Sequence, residues 1–486
     1  MEHNTKTAIH IFRRDYRLYD NTSLIEVCKT HDTVIPIFIF TQKQIDPAKN
    51  PFRSDNSVQF LCESLVDLDK QIHEATHGKS KLHIFYGDEF TILESLIKTI
   101  PDLATISFNM DYTKYSMERD SQITKLCSKH GITILSLDDI CLNPYGTIKT
   151  TTGKIYSKFT PFWRVSASKD IRKPVSNPAK NYLTSDSKLG KNLSSNTYTI
   201  TLDEIMKPHG KVIGSVNSQI RVHGGRTNGL TIIKHITTWK SYDTEHDNLM
   251  YETTHLSAYN KFGCISIREV YHVMLNKLGK DSGVIRQLFW RDFFYHLSAE
   301  NPIIYETSLN PKYRTIKWIN NPVWFNAWKN GKTGYPVVDA CMRELNTTGY
   351  MHNRGRLIVS SFLCRMLHIN WQWGEKYFAQ KLVDYDPAQN NFGWQVSGAN
   401  SSGTTSRPLE QTILNPWIQS VQFDHDGKYI KKWLPELKDV SPGDLHNWYK
   451  DQTCDKWLLQ GVKYIKPIVD YKTEKENNLK MYKKYI

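Results

Sequence analysis

Thr33-Val34-Ile35-Pro36-Ile37-Phe38-Ile39-Phe40 decides the fold of the N-terminal third. It is a short β-rich run, and four others accompany it: Ala8–Phe12, Leu82–Tyr86, Ala104–Phe108 and Ile132–Leu135. Between the runs, Val58, Leu61, Leu65, Leu68 and Ile72 recur at spacings of three and four, which is one face of a helix. A similar pattern covers Phe90–Ile97, and Tyr112–Lys129 predicts a third helix. Strands separated by helices predict a doubly wound parallel sheet, with ligands at the carboxyl ends of its strands. No G-x-G-x-x-G opens the first helix, so a dinucleotide site there is weakly supported. Arg13, Arg14, Asp15 and Arg17 follow the first strand instead, and read equally as a solvated charged loop.

Beyond this α/β domain, assigned to residues 1–138, the composition changes. Residues 139–220 are rich in Ser, Thr, Asn, Lys and Pro with little periodicity, and read as a long, partly ordered connector. From 221 to 486 strand signals fade and an all-α domain is expected, with helices over Ile265–Leu278, Val284–Ser298, Pro336–Asn346, Arg356–Leu367 and Glu375–Leu382. With 39% hydrophobic residues the chain has material for real cores. The net charge of +14 suits a polyanion, nucleic acid first and an anionic membrane surface second, although lysine-rich surfaces also serve solubility alone. Eight scattered cysteines without C-x-x-C spacing read as reduced core thiols, with no metal site. Met1–Thr7 lacks an apolar signal region, and no run of about 18 apolar residues exists, so a cytoplasmic or nuclear protein without a membrane span is expected.

The chemistry-bearing residues fall between Trp290 and Trp394. Trp290-Arg291-Asp292-Phe293 puts a guanidinium among aromatics, which suits either a surface arginine or an anionic ligand. Gly331-Lys332-Thr333-Gly334-Tyr335-Pro336 is a turn into a helix and not a P-loop. In Gly349-Tyr350-Met351-His352-Asn353-Arg354-Gly355-Arg356, the amide of Asn353 and the guanidinium of Arg356 share a helix face. Asp384-Tyr385-Asp386-Pro387-Ala388-Gln389-Asn390-Asn391 lacks the glycine and closing glutamate of a calcium loop.

Together these pieces, with Gly393-Trp394-Gln395, resemble the flavin-binding domain of the DNA photolyase–cryptochrome family. Phe12-Arg13-Arg14-Asp15-x-Arg17-Leu18-x-Asp20-Asn21 and Phe159-Thr160-Pro161-Phe162-Trp163 resemble the same family, so the likeness spans nearly the whole chain. It implies an N-terminal antenna-type domain joined to a helical domain that holds FAD. Tyr251 and the segment Thr253-Thr254-His255-Leu256-Ser257 match the family's phosphate-binding segment, with His255 where many members carry arginine. Gln287, Arg291, Asn353, Arg356, Asp384, Asp386, Asn390 and Asn391 match flavin-contacting positions, Asn390 facing the reactive nitrogen. Trp318, Trp371 and Trp394 match a tryptophan chain that feeds electrons to the flavin. The antenna pigment stays open between folate, deazaflavin and none; Asn109-x-Asp111-Tyr112 and Glu118-Arg119-Asp120 resemble positions near that site.

The resemblance further implies UV-damaged DNA as partner, bound by a monomer, with Gln287, Trp290, Met351, Arg354, Leu357, Val396 and Arg407 facing it. Several of these depart from the cyclobutane-dimer photolyases: Gln287 replaces a glutamate, Leu357 a methionine and Val396 a tryptophan. The (6-4) photolyases place histidines at the positions of Asn353 and Leu357, and neither is histidine here. Dimer repair with a remodelled pocket is therefore expected, with Gln287 and Asn353 facing the reacting groups. The alternatives are a (6-4) photolyase or a cryptochrome-like blue-light sensor; a plain basic DNA-binding module cannot account for the flavin-type residues.

Overall fold

A computed structural model describes residues 6–403 and 409–485. Five parallel strands form one sheet: β1 (Thr7–Ile11), β2 (Thr33–Phe40), β3 (His83–Tyr86), β4 (Leu103–Asn109) and β5 (Thr133–Leu137), in the order β3-β2-β1-β4-β5. Every residue of β2 after its first is buried, as a strand covered on both faces by crossover helices must be. In β1 and β2, Ile9 pairs with Ile35 and Ile11 with Ile37, and these side chains join Leu93, Leu96 and Ile123 from the helices in one core. The helix predicted around Val58 runs from Asp55 to Ala75, capped by Ser54, with Val58, Cys62, Leu65, Leu68 and Ile72 buried. The other two predicted helices are Glu89–Thr99 and Lys114–Lys129.

The segment read as a partly ordered connector packs in part against the sheet. Residues 139–220 carry the helix Phe159–Ala167, and Tyr182 and Thr199 bridge to Val34 and Phe85 at the sheet. Leu183 and Leu193 enter the sheet's own core. Isolated apolar residues in a polar segment give no periodicity, which is why this packing is invisible in the sequence. The compact units also cross the expected boundary at 220/221. One unit comprises residues 1–218, 222–240 and 254–302; the other comprises 219–221, 241–253 and 303–486. Within the first, the helix Arg226–Lys234 packs on Asp55–Ala75, and the helix Gly283–Glu300 packs on Phe159–Ala167.

The second unit is helical. Pro336–Thr348, Asn353–Ser361, Trp371–Lys381 and Pro387–Gly393 surround a core that includes Trp328, Met351, Trp371 and Trp394. Gly331–Pro336 enters the first of these helices as a turn tied by Asp339, whose carboxylate accepts from the Thr333 and Gly334 amides and the Tyr464 hydroxyl. At Gly334 a Cβ would lie 2.3 Å from the Lys466 carbonyl oxygen, so only glycine fits. Two helices close in a wide turn with i to i+5 bonds, Leu367 N to Phe362 O and Ala399 N to Trp394 O. Such single wide turns re-aim side chains, often at functional sites. All eight cysteines are buried and unpaired. Among the described residues, no helix is long and apolar enough to cross a membrane.

Candidate functional site

The second unit brings several predicted residues together. Asn353 opens its helix on the surface, after His352 caps it by accepting the Arg354 amide at 3.1 Å. One turn on, Arg356 donates from Nε to the Met351 carbonyl and from Nη2 to both oxygens of buried Asp384 at 3.1 and 2.9 Å. Burial opposes the guanidinium's charge, but Asp384 more than offsets this, and the group holds its proton more tightly than a free arginine. No described protein group occupies Nη1 of Arg356.

Asn390 is fixed by a residue that sequence reasoning missed. Its Nδ2 donates to the carbonyl oxygen of Glu375 at 3.3 Å and to Glu375 Oε1 at 3.1 Å. A carbonyl only accepts, so the amide nitrogen must face Glu375, and the amide oxygen is turned the other way. Tyr385 also donates to Glu375 Oε1, at 3.1 Å. Burial pushes the Glu375 carboxyl up to about 7, against the pull of these two donors. The sequence signal was a carboxylate on the apolar stripe of its helix, among Trp371, Phe378 and Ala379.

The donor set fits a flavin. A flavin ring edge carries acceptor carbonyls and N–H groups, and the unit offers the spare Arg356 donor and the half-buried Asn390 acceptor. Asp386 and Asn391 are more internal than expected. Asp386 caps the helix after it through the Ala388 and Gln389 amides, and Asn391 accepts from Gln395 at 2.7 Å. Of the residues assigned to phosphates, Tyr251 and Thr253 lie in this unit, both half-buried.

Trp394 and Trp371 are buried in one cluster, with Trp318 half-buried at its edge against Tyr482. Gly374, one turn after Trp371, lies where a Cβ would meet the Trp394 six-membered ring at 2.1 Å. Phe378 and Trp328 meet the same indole edge-on, at 5.0 and 6.0 Å between centroids. Gly374→Ala is therefore expected to destabilise the protein by about 1–3 kcal/mol, as overpacking does. A thermal melt checks this; an unchanged melt would mean that the indole is free to shift.

Two expected DNA contacts in this unit are otherwise engaged. Met351 is fully buried in the core, because the turn before Asn353 folds inward. Arg354 is held by Asp247 at 2.5 Å and lies over Phe423. Leu357 and Val396 are half-buried, and Arg407 lies outside the described residues.

In the first unit, Thr254 and His255 lead into the short helix Ser257–Phe262, and His255 holds a left-handed backbone, φ 52°. Leu256 is buried, and its amide donates to Thr254 Oγ1 at 3.4 Å. Arg291 donates to the carbonyls of Ile140 and Asn260 and lies over Tyr295. Beside it, buried Asp292 accepts from the Leu142 and Asn143 amides, and burial raises its carboxyl to about 7. Gln287 is exposed and Trp290 half-buried on the same helix.

Residues 8–179 match the family model described as DNA photolyase, and residues 284–484 match the FAD binding domain of DNA photolyase. The deoxyribodipyrimidine photo-lyase of Vibrio cholerae is 31% identical over 97% of this chain and 98% of its own length. That of Buchnera aphidicola subsp. Baizongia pistaciae is 32% identical over 97% of each. Among solved structures, the Sulfolobus tokodaii photolyase with two FAD molecules matches with a TM-score of 0.83 and 33% identity, covering 98% of this chain and all of that one. The Synechocystis cryptochrome matches with a TM-score of 0.85 and 25% identity, covering 99% of this chain and all of that one. A likeness that runs end to end through both the sheet and the flavin-type residues has one explanation: the chain belongs to the DNA photolyase family.

Proposed function

We propose that this protein is a light-driven DNA repair enzyme that splits cyclobutane pyrimidine dimers, using FAD as its cofactor. The observation that carries the reading is the Asn390–Glu375 and Arg356–Asp384 pairing, which leaves one amide oxygen and one guanidinium edge available in the unit that also buries Trp371 and Trp394. Relatives named deoxyribodipyrimidine photo-lyase support it. When bound, FAD supplies the light-excited electron that opens the dimer and then takes it back.

The remaining work falls to side chains of this chain. Arg356, oriented by Asp384, offsets negative charge at the cofactor, and Asn390 accepts a hydrogen bond there whether or not Glu375 is ionised. Arg291 and Thr254–Ser257 in the first unit, and Tyr251, Thr253, Asp386 and Asn391 in the second, are each read as cofactor-contacting residues. Trp318, Trp371 and Trp394 are oxidisable indoles in apolar surroundings, suited to passing an electron inward from the surface. On the DNA side, Gln287 offers an amide to a pyrimidine carbonyl and Trp290 a stacking face, while Asn353 stands exposed at its helix start. The lesion is flipped out of the duplex to reach them.

The enzyme is taken as a monomer, working wherever the cell's DNA lies, cytoplasm or nucleus. Residues 1–138, 139–220 and 221–486 are taken as its antenna-type, connecting and cofactor-and-DNA-binding segments. The test is a mixture of two oligonucleotides, one with a thymine cyclobutane dimer and one with a (6-4) product, under blue light. Restoration of the dimer strand alone is expected. Restoration of only the (6-4) strand, or of neither by flavin-loaded protein, would overturn the reading.

A further inference from the structure

Within the first unit, the helix Phe159–Ala167 lies against the helix Gly283–Glu300. Phe159 stacks on Trp290, with centroids 3.5 Å apart and planes 8° from parallel. Four residues on along the first helix and four back along the second, Arg286 lies over Trp163, its guanidinium carbon 4.6 Å from the ring centroid. Residues four apart share a helix face, so these contacts are successive rungs of one seam. Beneath it, Phe162 packs on Phe293 and His296, which fixes the two helices against each other.

Arg286 is exposed, and among the described residues no carboxylate pairs with it. An indole face attracts a guanidinium and restrains it without using up its N–H donors. An unpaired guanidinium matches the oxygens of a phosphodiester, and one already restrained loses less freedom on binding it. Arg286 directly precedes Gln287 and shares a face with Trp290, the two residues read above as meeting the lesion. Exposed Arg164 follows Trp163 on the same helix.

We propose that Arg286, restrained by the Trp163 ring, grips a backbone phosphate of the damaged strand beside the lesion. This rests on the DNA-repair reading and adds a positioning contact to it. The test measures binding in the dark, by fluorescence anisotropy, to a thymine-dimer duplex over a range of salt concentrations. Arg286→Ala should weaken binding about five- to tenfold and make the log–log salt slope shallower by about 0.9, the value for one phosphate contact. Trp163→Ala should weaken it a few-fold, and Trp163→Phe should restore it. A methylphosphonate placed at the gripped phosphate should bring the wild type down to the level of Arg286→Ala and cost that variant nothing more. An unchanged affinity and slope in Arg286→Ala, or a penalty that persists at every methylphosphonate position, would overturn the proposal. Equal binding of damaged and undamaged duplex by the wild type, with the Arg286 effect intact, would count against the repair reading while upholding the phosphate contact.

Discussion

Asp384→Ala protein is expected to purify nearly colourless, with flavin binding weakened roughly a hundredfold. Asp384 is buried and receives Nη2 of Arg356 on both oxygens. Removing it leaves a guanidinium without its counter-charge in a partly buried site, and breaking a fully buried pair typically costs about 3–5 kcal/mol. Arg356 has 25% of its side chain exposed, so water recovers part of that cost and the lower end applies. A hundredfold loss corresponds to about 2.7 kcal/mol. The damage goes beyond charge: without Asp384 the guanidinium can turn, and its Nη1 edge no longer points in a fixed direction. The ratio of flavin to protein absorbance, followed by titration with FAD, measures the loss. Full flavin content in the variant would remove Arg356 and Asp384 from the cofactor site.

The second large effect is a pH dependence centred on Glu375. Its carboxyl is raised from 4.5 to about 7, chiefly by burial, with the Asn390 and Tyr385 hydrogen bonds pulling the other way. The folded protein thus binds this proton more tightly than the unfolded chain. The associated stability is fully present below the unfolded value of 4.5 and is lost as pH rises through about 7. The shift amounts to about 3 kcal/mol across that window. Glu375→Gln cannot ionise, yet its amide oxygen can still accept from Asn390 and Tyr385. Melts of the two proteins should coincide near about pH 5, and the variant should be more stable by up to about 3 kcal/mol near about pH 8. Taking the difference between them removes Asp292 and Asp339, whose carboxyls burial also raises, to about 7 and about 6. Curves that stay parallel over the whole range would mean that Glu375 ionises as an ordinary surface carboxylate.

Sequence carried the local and repetitive features well. The β-rich run of Thr33–Phe40 and the three-and-four spacing after Asp55 are short-range patterns, and both elements formed as read. The candidate flavin residues drew notice for another reason: their chemistry is concentrated in a few contiguous segments, Met351–Arg356 and Asp384–Trp394. What stayed hidden depends on long-range partners. Arg354 looked available until Asp247, far back in the chain, was found against it. Glu375 is one carboxylate in a helix until burial shows that it holds Asn390 in place. Met351, placed at the DNA by the resemblance, is buried in the core of the second unit. Residues 139–220 hide their packing because single apolar anchors such as Leu183 and Leu193 make no pattern.

The cofactor side and the DNA side of the site therefore stand differently. Asn390 is tied to Glu375 and Arg356 to Asp384, while Gln287, Leu357 and Val396 are departures from the dimer-photolyase pattern at positions proposed to meet the lesion. The direct measurement is turnover of a thymine-dimer oligonucleotide by flavin-loaded wild-type protein, in blue light and in darkness, read as recovered intact thymine. Repair of many dimers per protein molecule in light, with none in darkness, is the predicted result. Binding of the damaged strand without any light-dependent recovery would contradict a repair function and leave a flavoprotein that senses light without mending DNA.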